Sequence, residues 1–318
     1  MNIIKNRYVY FLLSLLIIIP GIVFMGLNWA KSKTGPLPLG IDFRGGSLLE
    51  VQFEGTRPSV EEVDALYKEF SSEAEPIAEP VIQPLDNDSF SIRSKTMTDE
   101  TKGLLVAEME TRFSSKVIVL NFTSVSPSIG AEVTRAAGLA ILLAAVAILL
   151  YIWWAFRGVE HPYRYGTAAI LAMLHDVFVV LGTEAILGYF LGWEADALFL
   201  TALLTVIGFS VHDTIVVFDR VRENSNILRR IDYETMVNHS IVQTLDRSIT
   251  TQLTVMLTLF ALVLFGGDST RHFVIILLVG IFSGTYSSIF NAAPILVVWE
   301  NREWTTWFKR KEEAATTI

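Results

Sequence analysis

The sequence has no cysteine, few histidines and few charged residues, and each shortage excludes a class of protein. Without cysteine, neither disulfides nor thiolate metal sites can form. The 5 histidines show no HExxH-type spacing, so no motif for a histidine-ligated zinc site is present. Charged residues make up only 18% of the chain, which is below the share in ordinary soluble domains. The net charge of −8 argues against a nucleic-acid partner, because such proteins present a basic surface.

The sequence instead contains long runs of apolar residues. Each has about the 20 residues that cross a bilayer core of about 30 Å, so the runs predict transmembrane helices. The first run is longer than the apolar core of a signal peptide, which favours a retained anchor over the alternative of a cleaved leader. The six runs are Tyr8–Leu27, Glu132–Phe156, Arg164–Phe190, Ala197–Phe218, Ile241–Phe265 and Phe273–Trp299.

The distribution of lysine and arginine predicts the orientation of these helices. Basic residues gather at alternate ends of the runs, and the positive-inside rule assigns that side to the cytoplasm. Lys31 and Lys33 are exceptions on the opposite side. Both termini are therefore expected in the cytoplasm, and residues 28–131 are expected outside. The basic residues that decide this are Lys5, Arg7, Arg157, Arg164, Arg220, Arg222, Arg229, Arg230, Arg302, Lys309, Arg310 and Lys311.

The outward segment is predicted to fold as one α+β domain between helices 1 and 2. Ser59 and Glu62 form a capping-box pattern that begins a helix. The order β-α-β-β-α-β is that of the ferredoxin-like motif. The acidic charge of this domain fits either simple solubility or a docking surface for a partner. The other predicted elements are strands at Ser47–Phe53, Ile77–Gln83, Ser89–Arg93 and Lys116–Val125 and a helix at Asp99–Phe113, with a turn at residues 86–88.

The predicted organisation is therefore an α-helical polytopic membrane protein with six transmembrane helices and one periplasmic domain. Residues 1–27 hold the cytoplasmic N-terminus and helix 1, and residues 28–131 form the periplasmic domain. Residues 132–299 hold helices 2–6 and a cytoplasmic amphipathic loop at 219–240. Residues 300–318 form a cytoplasmic tail.

Ionisable side chains inside the predicted helices are the candidate functional residues. A charge at such a depth costs about 2.5–3.5 kcal/mol on insertion scales and marks a functional site by default. His175 and Asp176 lie in the third helix, Asp213 lies in the fourth and Arg247 lies near the start of the fifth. Counted from the outer helix ends, Asp176, Asp213 and Arg247 lie at depths of roughly 21, 22 and 27 Å. Three neighbouring helices are therefore expected to bring two acids and one guanidinium to a common level.

Several roles are open for these groups on spacing alone. Asp213 and Arg247 fit either a static ion pair that fixes helix register or a proton-handling pair. Arg247 also fits a side chain that extends to the cytoplasmic interface, and Asp176 fits a hydrogen-bonding partner of His175. Burial disfavours a charged carboxyl and a nearby guanidinium favours it, so a moving arginine changes proton affinity.

The sixth run carries small residues at helical spacing. Gly280, Gly284 and Ser288 form a stripe that favours close packing with another helix, either in this chain or in another subunit.

Several motifs, taken together and in order, resemble the SecF family of bacterial protein-export subunits, which is related to the resistance-nodulation-division transporters. Asp42, Arg44, Gly45 and Gly46 lie in the motif that opens the outward domain. Three departures from the family pattern are Ser126 in place of glycine, His212 in place of asparagine and His272 in place of an acid. The matching segments are 40–46, 124–130, 174–177, 208–223, 244–251 and 280–290.

The resemblance implies a function that spacing alone does not supply. It implies a subunit that is not an enzyme, has no cofactor, and uses protons as coupling ion to drive a late step of export with a SecD partner. Asp213 and Arg247 match the positions that the family uses for proton transport, with Asp176, His175, Thr214 and His212 as supporting polar residues. The implied location is the bacterial inner membrane. Further implied partners are the SecYEG translocon with SecA, a YidC-type insertase and exported unfolded proteins.

Two other functions compete with this one. A stand-alone proton-driven exporter of small molecules or lipids would belong to the related transporter class. Full members of that class have two six-helix halves and two outward domains, whereas this chain has one of each, and a half unit needs a partner. A purely structural scaffold is the third possibility, and it predicts that neutralising Asp213 affects only stability.

Overall fold

A computed structural model describes residues 2–32, 35–55, 57–71, 76–77, 80–85, 88–159 and 161–305. Within these residues, 6 helices are long and apolar enough to cross a membrane, and an α+β domain lies between the first and the second. This confirms the predicted fold class. The chain separates into two compact units, one of residues 32–140 and 187–198 and one of residues 1–31, 141–186 and 199–318.

The α+β unit contains a four-stranded antiparallel sheet. Its strands are β1 (Gly46–Glu54), β2 (Val81–Pro84), β3 (Ser89–Ser94) and β4 (Lys116–Val125), in the spatial order β2-β3-β1-β4. The central strand β1 pairs with both β3 and β4, and its pairing with β4 shifts register between Glu50 and Val51. This strand order is that of a ferredoxin-like sheet.

Two helices pack on the sheet and bury its core. They are α3 (Val60–Phe70) and α4 (Asp99–Phe113), and the bounds of α4 and β4 agree with the sequence prediction. Alternate residues of β1 point inward, which is why Leu49, Val51 and Phe53 are buried while Glu50 and Gln52 are half-buried. The other buried core residues are Val63, Leu66, Tyr67, Ile77, Phe90, Ile92, Met97, Leu105, Met109 and Val117.

The predicted capping box is confirmed. The Ser59 side chain accepts from the backbone N–H of Glu62, and the Glu62 carboxylate accepts from the backbone N–H of Ser59 at 2.8 Å. Strand β2 differs from the prediction, because it begins at Val81 instead of Ile77. Ile77 is instead buried in the domain core. Residues 78–79, and residues 86–87 of the predicted turn, lie outside the described part of the chain.

The helical unit contains most of the membrane-spanning helices. The helices are α1 (Arg7–Ser32), α5 (Pro127–Ala155), α6 (Pro162–Leu191), α7 (Ala197–Ile227), α8 (Tyr233–Phe265), α9 (Asp268–Ser287) and α10 (Ala293–Glu300). A short π-helical turn, Ser288–Ala292, joins α9 to α10, so the last two form one membrane span. A four-residue helix, α2 (Ile41–Arg44), precedes β1.

The predicted amphipathic loop at 219–240 is wrong. Helix α7 continues to Ile227 and α8 begins at Tyr233, so the connection contains only residues 228–232. The two helix ends pack against each other, since the buried Asn224 donates to Ser240 at 2.8 Å and to Gln243 at 2.9 Å. Of the apolar residues that suggested an amphipathic connection, Ile227 and Met236 lie on these helix extensions, whereas Leu228 and Ile231 lie in the short connection.

Burial divides the spans into an inner and an outer group. In the spans of α6, α7 and α9–α10, 44–56% of the most apolar window is buried, whereas the spans of α1 and α5 bury 11% and 6% and that of α8 buries 17%. Ionisable groups inside a membrane need protein partners, so they are expected on the more buried helices α6, α7 and α9.

Candidate functional site

Asp176 of α6 is fully buried and is held by groups from two other helices. Ser210 of α7 donates to Oδ2 at 2.5 Å. Ser283 of α9 donates to Oδ1 at 2.6 Å, and Ser287 of the same helix donates to Oδ2 at 2.6 Å. The ring of His175 lies beside it, with Nδ1 3.0 Å from Oδ1. Both carboxyl oxygens are thus satisfied, as buried polar groups require, and the carboxyl joins α6, α7 and α9.

Asp213 of α7 has a different environment. It is 3% exposed, and the side-chain amide of Gln252 on α8 donates to its Oδ2 at 2.5 Å. The carbonyl oxygen Oε1 of Gln252 is buried and has no hydrogen-bond partner within the described residues, and neither has the hydroxyl of Ser248 one turn earlier. The face of α8 near Asp213 therefore carries hydrogen-bonding capacity that is not used in this conformation.

Arg247 is exposed and forms no ion pair with Asp213 in the described part of the chain. It lies within electrostatic range of that carboxyl. It also lines a cavity of about 460 Å³ together with Asp219, Arg220 and Glu223. Asp176, Asp213 and Arg247, which were expected at a common depth, therefore do not form one hydrogen-bonded cluster. Asp176 bonds to serines, Asp213 bonds to glutamine, and Arg247 faces a polar cavity.

The supporting polar residues of α6 and α7 differ in exposure. His212 is exposed on the surface of the chain, whereas Thr214 is buried and donates to the backbone carbonyl of Ser210 at 3.0 Å. His175 is nearly buried, and its Nε2 has no hydrogen-bond partner among the described residues. Its ring lies 6.0 Å from the ring of Tyr286. The Thr214 hydroxyl is therefore occupied by a hydrogen bond within its own helix. The exposed His212 and Nε2 of His175 are available to bind other groups.

The small-residue stripe of the last span packs against helices of the same chain. A Cβ on Gly280 would lie 2.2 Å from Val206 and 3.1 Å from Val180. A Cβ on Gly284 would lie 3.3 Å from the backbone of Ser210. Ser288 is buried at the start of the π-helical turn. The close approach of α7 and α9 at Gly284 is what lets the serines of both helices reach Asp176.

The motif at residues 42–46 fixes the backbone at the start of the first strand of the α+β unit. Asp42 accepts from the backbone N–H of Ala197, the first residue of α7, at 2.9 Å, and so acts as a helix cap. Gly45 has φ +78°, and a Cβ there would lie 2.7 Å from Pro127, so only glycine fits. Gly46 is similarly restricted, with φ +130°. Arg44 ends α2 and lines a shallow surface pocket with both glycines.

Sequence reasoning missed the residues that hold the two acids. Gln252 directly follows the motif segment 244–251, and its polar amide in an apolar run was the available signal. Ser283 and Ser287 each precede a residue of the small-residue stripe, Gly284 and Ser288, and neither was singled out from the sequence. Glu184, which is fully buried on α6, was not considered.

Comparison with known proteins identifies the family. The family model described as "Protein export membrane protein SecD/SecF, C-terminal" matches residues 105–302, which is more than half of the chain. The model described as "SecD/SecF GG Motif" matches residues 34–56. The chain belongs to the SecD/SecF family. It is a multi-pass membrane protein of the SecF type within that family.

Full-length relatives agree with this assignment. A SecF from Anaerolinea thermophila is 52% identical over 318 residues, covering 99% of each chain. A SecF from Thermobaculum terrenum is 48% identical over 327 residues, again covering 99% of each chain. The crystal structure of SecDF, a translocon-associated membrane protein from Thermus thermophilus, superposes with a TM-score of 0.78 at 35% identity. The match covers 95% of this chain but 39% of that SecDF chain, so a SecF-type chain corresponds to part of a SecDF fusion.

Proposed function

We propose that this SecF-type chain couples proton movement across the bacterial inner membrane to a late step of protein export, together with a SecD partner. It is a transport protein and not an enzyme. The observation that carries the proposal is the buried carboxyl of Asp213, which has one side-chain partner, Gln252, and an arginine within electrostatic range. A buried acid of this kind changes its charge and its partners together, because each protonation state prefers different neighbours.

In the proposed cycle, Asp213 takes up a proton and Arg247 changes its position. The described conformation has Gln252 on Asp213 and Arg247 in the adjoining cavity. Arg247 precedes Gln252 by five residues on α8, an axial offset of about 7.5 Å. Moving the guanidinium towards Asp213 stabilises the carboxylate and favours release of the proton. A proton that crosses the membrane supplies about 2.3 kcal/mol per 100 mV, enough to bias a conformational equilibrium of a few kcal/mol.

A second subunit is proposed to cover the polar surface of α8. Arg247, Thr251, Thr254 and Thr258 recur at helical spacing on this helix and are all exposed. His212 of α7 is exposed as well. Polar and ionisable groups on a membrane helix face protein or water instead of lipid, so this surface needs a partner. SecDF, to which this chain is similar, combines a SecD part and a SecF part in one chain. A SecD chain is therefore the proposed partner.

The outward position of the α+β unit and the cytoplasmic position of both termini are part of the proposal, and they follow from the lysine and arginine distribution. Asp42 supplies a link between helix and domain, because it caps the first residue of α7, the helix that carries Asp213. A shift of α7 would reach the domain through this cap. The SecYEG translocon with SecA, a YidC-type insertase and exported unfolded chains are proposed as further partners through family membership.

Proton-gradient-dependent export in membrane vesicles tests the proposal. Asp213→Asn removes the titratable group but keeps the shape and the bond to Gln252, so we expect the gradient-dependent part of export to be lost. Asp246→Asn is the matched control, since Asp246 is an exposed acid beside Arg247 and no hydrogen bond or ion pair to it is described. Export at the normal rate in Asp213→Asn would exclude the relay and leave a scaffold role.

Purification in mild detergent tests the partner. Co-isolation of a SecD-type chain supports the proposal. A homodimer that transports small molecules would instead support the stand-alone exporter.

A further inference from the structure

A polar cavity of about 340 Å³ lies at one end of the helical unit, and its lining includes neither Asp176 nor Asp213. The junction after α5, the starts of α6 and α8 and the ends of α7 and α10 surround it. Its volume falls within the range of about 300–1,000 Å³ that is common for small-ligand sites. The lining residues that carry a charge or a polar ring are His161, Arg164, Tyr165, Arg229, Tyr233 and Glu300.

The lining carries more positive than negative charge, with two arginines and one acid. Arg164 donates to Glu300 through Nη1, and its Nε–H is buried without an acceptor among the described residues. Arg229 is exposed, and the one hydrogen bond described for its side chain runs from Nε to the backbone carbonyl of Asn226 at 3.1 Å. Glu300 balances one arginine, so the charge of the other favours an anion in the cavity. Guanidinium groups bind phosphate oxygens through paired N–H donors.

The aromatic side chains around this cavity are those of a membrane surface. The ring of Tyr163 lies edge-on to the rings of His161 and Trp299, with centroids 5.8 and 6.2 Å apart. Trp153 and Trp154, at the end of α5, are exposed. Tryptophan and tyrosine concentrate at the headgroup level of a bilayer, so the cavity is expected at the depth of the lipid phosphates.

One wall of the cavity is held in place by aromatic packing. Tyr165 stacks on Phe156 with ring centroids 5.2 Å apart, and it meets Phe218 edge-on at 5.3 Å. Both phenylalanines are fully buried. Because Tyr165 is fixed between them, this wall does not depend on a ligand for its shape, and the cavity is preformed as ligand sites usually are.

We propose that this cavity binds the phosphate group of an anionic membrane lipid. Arg229 and Arg164 contact the phosphate oxygens, and His161 donates a ring N–H, which an imidazole has in either charge state. Basic pockets between transmembrane helices bind anionic headgroups in this way. Free phosphate has the same charged oxygens, but the aromatic rim of Tyr163 and Trp299 favours a lipid. The bound lipid joins the ends of α6, α7 and α8, and the site depends neither on proton coupling nor on the orientation of the chain.

Thermal unfolding of the purified full chain in a neutral detergent tests the ligand. Phosphatidylglycerol, phosphatidylcholine and inorganic phosphate are titrated separately. A ligand that binds the folded chain raises its melting temperature, and we expect the largest rise with phosphatidylglycerol, whose headgroup is anionic. An equal rise with phosphatidylcholine, whose choline balances its phosphate, would overturn the proposal. An equal rise with inorganic phosphate would overturn it as well, because the ligand would then be a soluble anion.

Two adjacent arginines test the position of the site. Arg229→Gln should raise the phosphatidylglycerol concentration for half of the maximal shift about fivefold, as for loss of one arginine contact with an anionic headgroup. Arg230→Gln is the matched control, since Arg230 is exposed and is not among the residues that line the cavity. Equal changes in the two variants would show general attraction to the surface and overturn the proposal.

The wild-type chain supplies a test that depends on no variant. Higher salt should weaken the shift that phosphatidylglycerol causes, because mobile ions screen the attraction between exposed charges. A shift that is independent of salt would contradict binding through arginine. Arg229 carries the variant test because Arg164→Gln would also break the ion pair with Glu300. None of these measurements depends on export, so failure of this site is distinguishable from failure of the Asp213 relay.

Discussion

The amide of Gln252 donates to the buried carboxyl of Asp213 at 2.5 Å, and this contact takes the place that an ion pair with Arg247 was expected to have. A neutral amide stabilises a carboxylate less than a guanidinium does, because only the guanidinium adds the attraction of an opposite charge. In the proposed cycle, the described conformation is the one in which Asp213 holds a proton. The alternative state would bring Arg247 from the cavity to the carboxyl.

Replacing Gln252 by leucine should destabilise the chain. The variant removes the one described hydrogen bond to Asp213 and leaves a buried carboxyl unsatisfied, at a cost of about 1–3 kcal/mol. Thermal unfolding in detergent measures the effect. Thr250→Val on the same helix is the control, because Thr250 is exposed and its side chain forms no described hydrogen bond. Equal stability of the two variants would show that the Gln252–Asp213 contact contributes little.

The serines around Asp176 give a second prediction. Ser283→Ala and Ser287→Ala each remove one donor to the buried carboxyl, so each should reduce the free energy of unfolding by about 1.5–3 kcal/mol. Ser288→Ala should have little effect, since its hydroxyl donates only to the carbonyl of Thr285 in its own helix. Because both serines donate to the same carboxyl group, the double variant should depart from additivity. Additive losses would indicate that the two serines act independently.

Gly280 of α9 and Gly208 of α7 provide a matched pair of glycine-to-alanine substitutions. In Gly280→Ala the new methyl group would lie 2.2 Å from Val206, and such overpacking costs about 1–3 kcal/mol. In Gly208→Ala the methyl group meets no atom within 4 Å, and the helix gains up to about 1 kcal/mol from the better propensity of alanine. The melting temperatures should therefore move in opposite directions. A loss in both variants would mean that Gly208 faces a partner.

The fold was predictable because its signals are local and periodic. Apolar runs define the six spans, and the Ser59–Glu62 pattern and alternation in β1 define the domain. The loop at 219–240 was mispredicted because polar residues such as Asn224 normally mark the end of a membrane helix. Here Asn224 is instead buried between two helix extensions by hydrogen bonds to Ser240 and Gln243, a tertiary effect that no window of sequence reveals.

The two acids of the site could be predicted from the sequence, but the side chains that bind them could not. The position of Asp176 and Asp213 in apolar runs is unusual enough to mark them, since insertion of a charge is costly. Which side chain binds each acid depends on helix rotation and on how closely the backbones approach. Gly284 lets α9 approach Ser210, and that approach selects serines for Asp176. Counting residues from the end of a helix gives the depth of a side chain but not the neighbouring helix that it faces.

Asp232 makes the start of α8 sensitive to pH. Its carboxylate accepts from the backbone N–H of Thr235 at 2.9 Å, and this hydrogen bond lowers the pKa of Asp232 below its ordinary value of 3.8. A lowered pKa means that the cap stabilises the folded helix at any pH above the ordinary value. The contribution is lost as the pH falls from there through the lower pKa of the folded state.

Hydrogen exchange at the amide of Thr235 measures this dependence. Relative to its intrinsic exchange rate, the amide should be equally protected at neutral pH and at pH 5, and should lose protection below about pH 4. Asp232→Asn keeps a capping side chain without a titratable group, so its protection should not depend on pH. Asp232→Ala should be poorly protected throughout, because no side-chain acceptor remains. If the wild-type chain and Asp232→Asn lose protection together on acidification, another group controls this helix end.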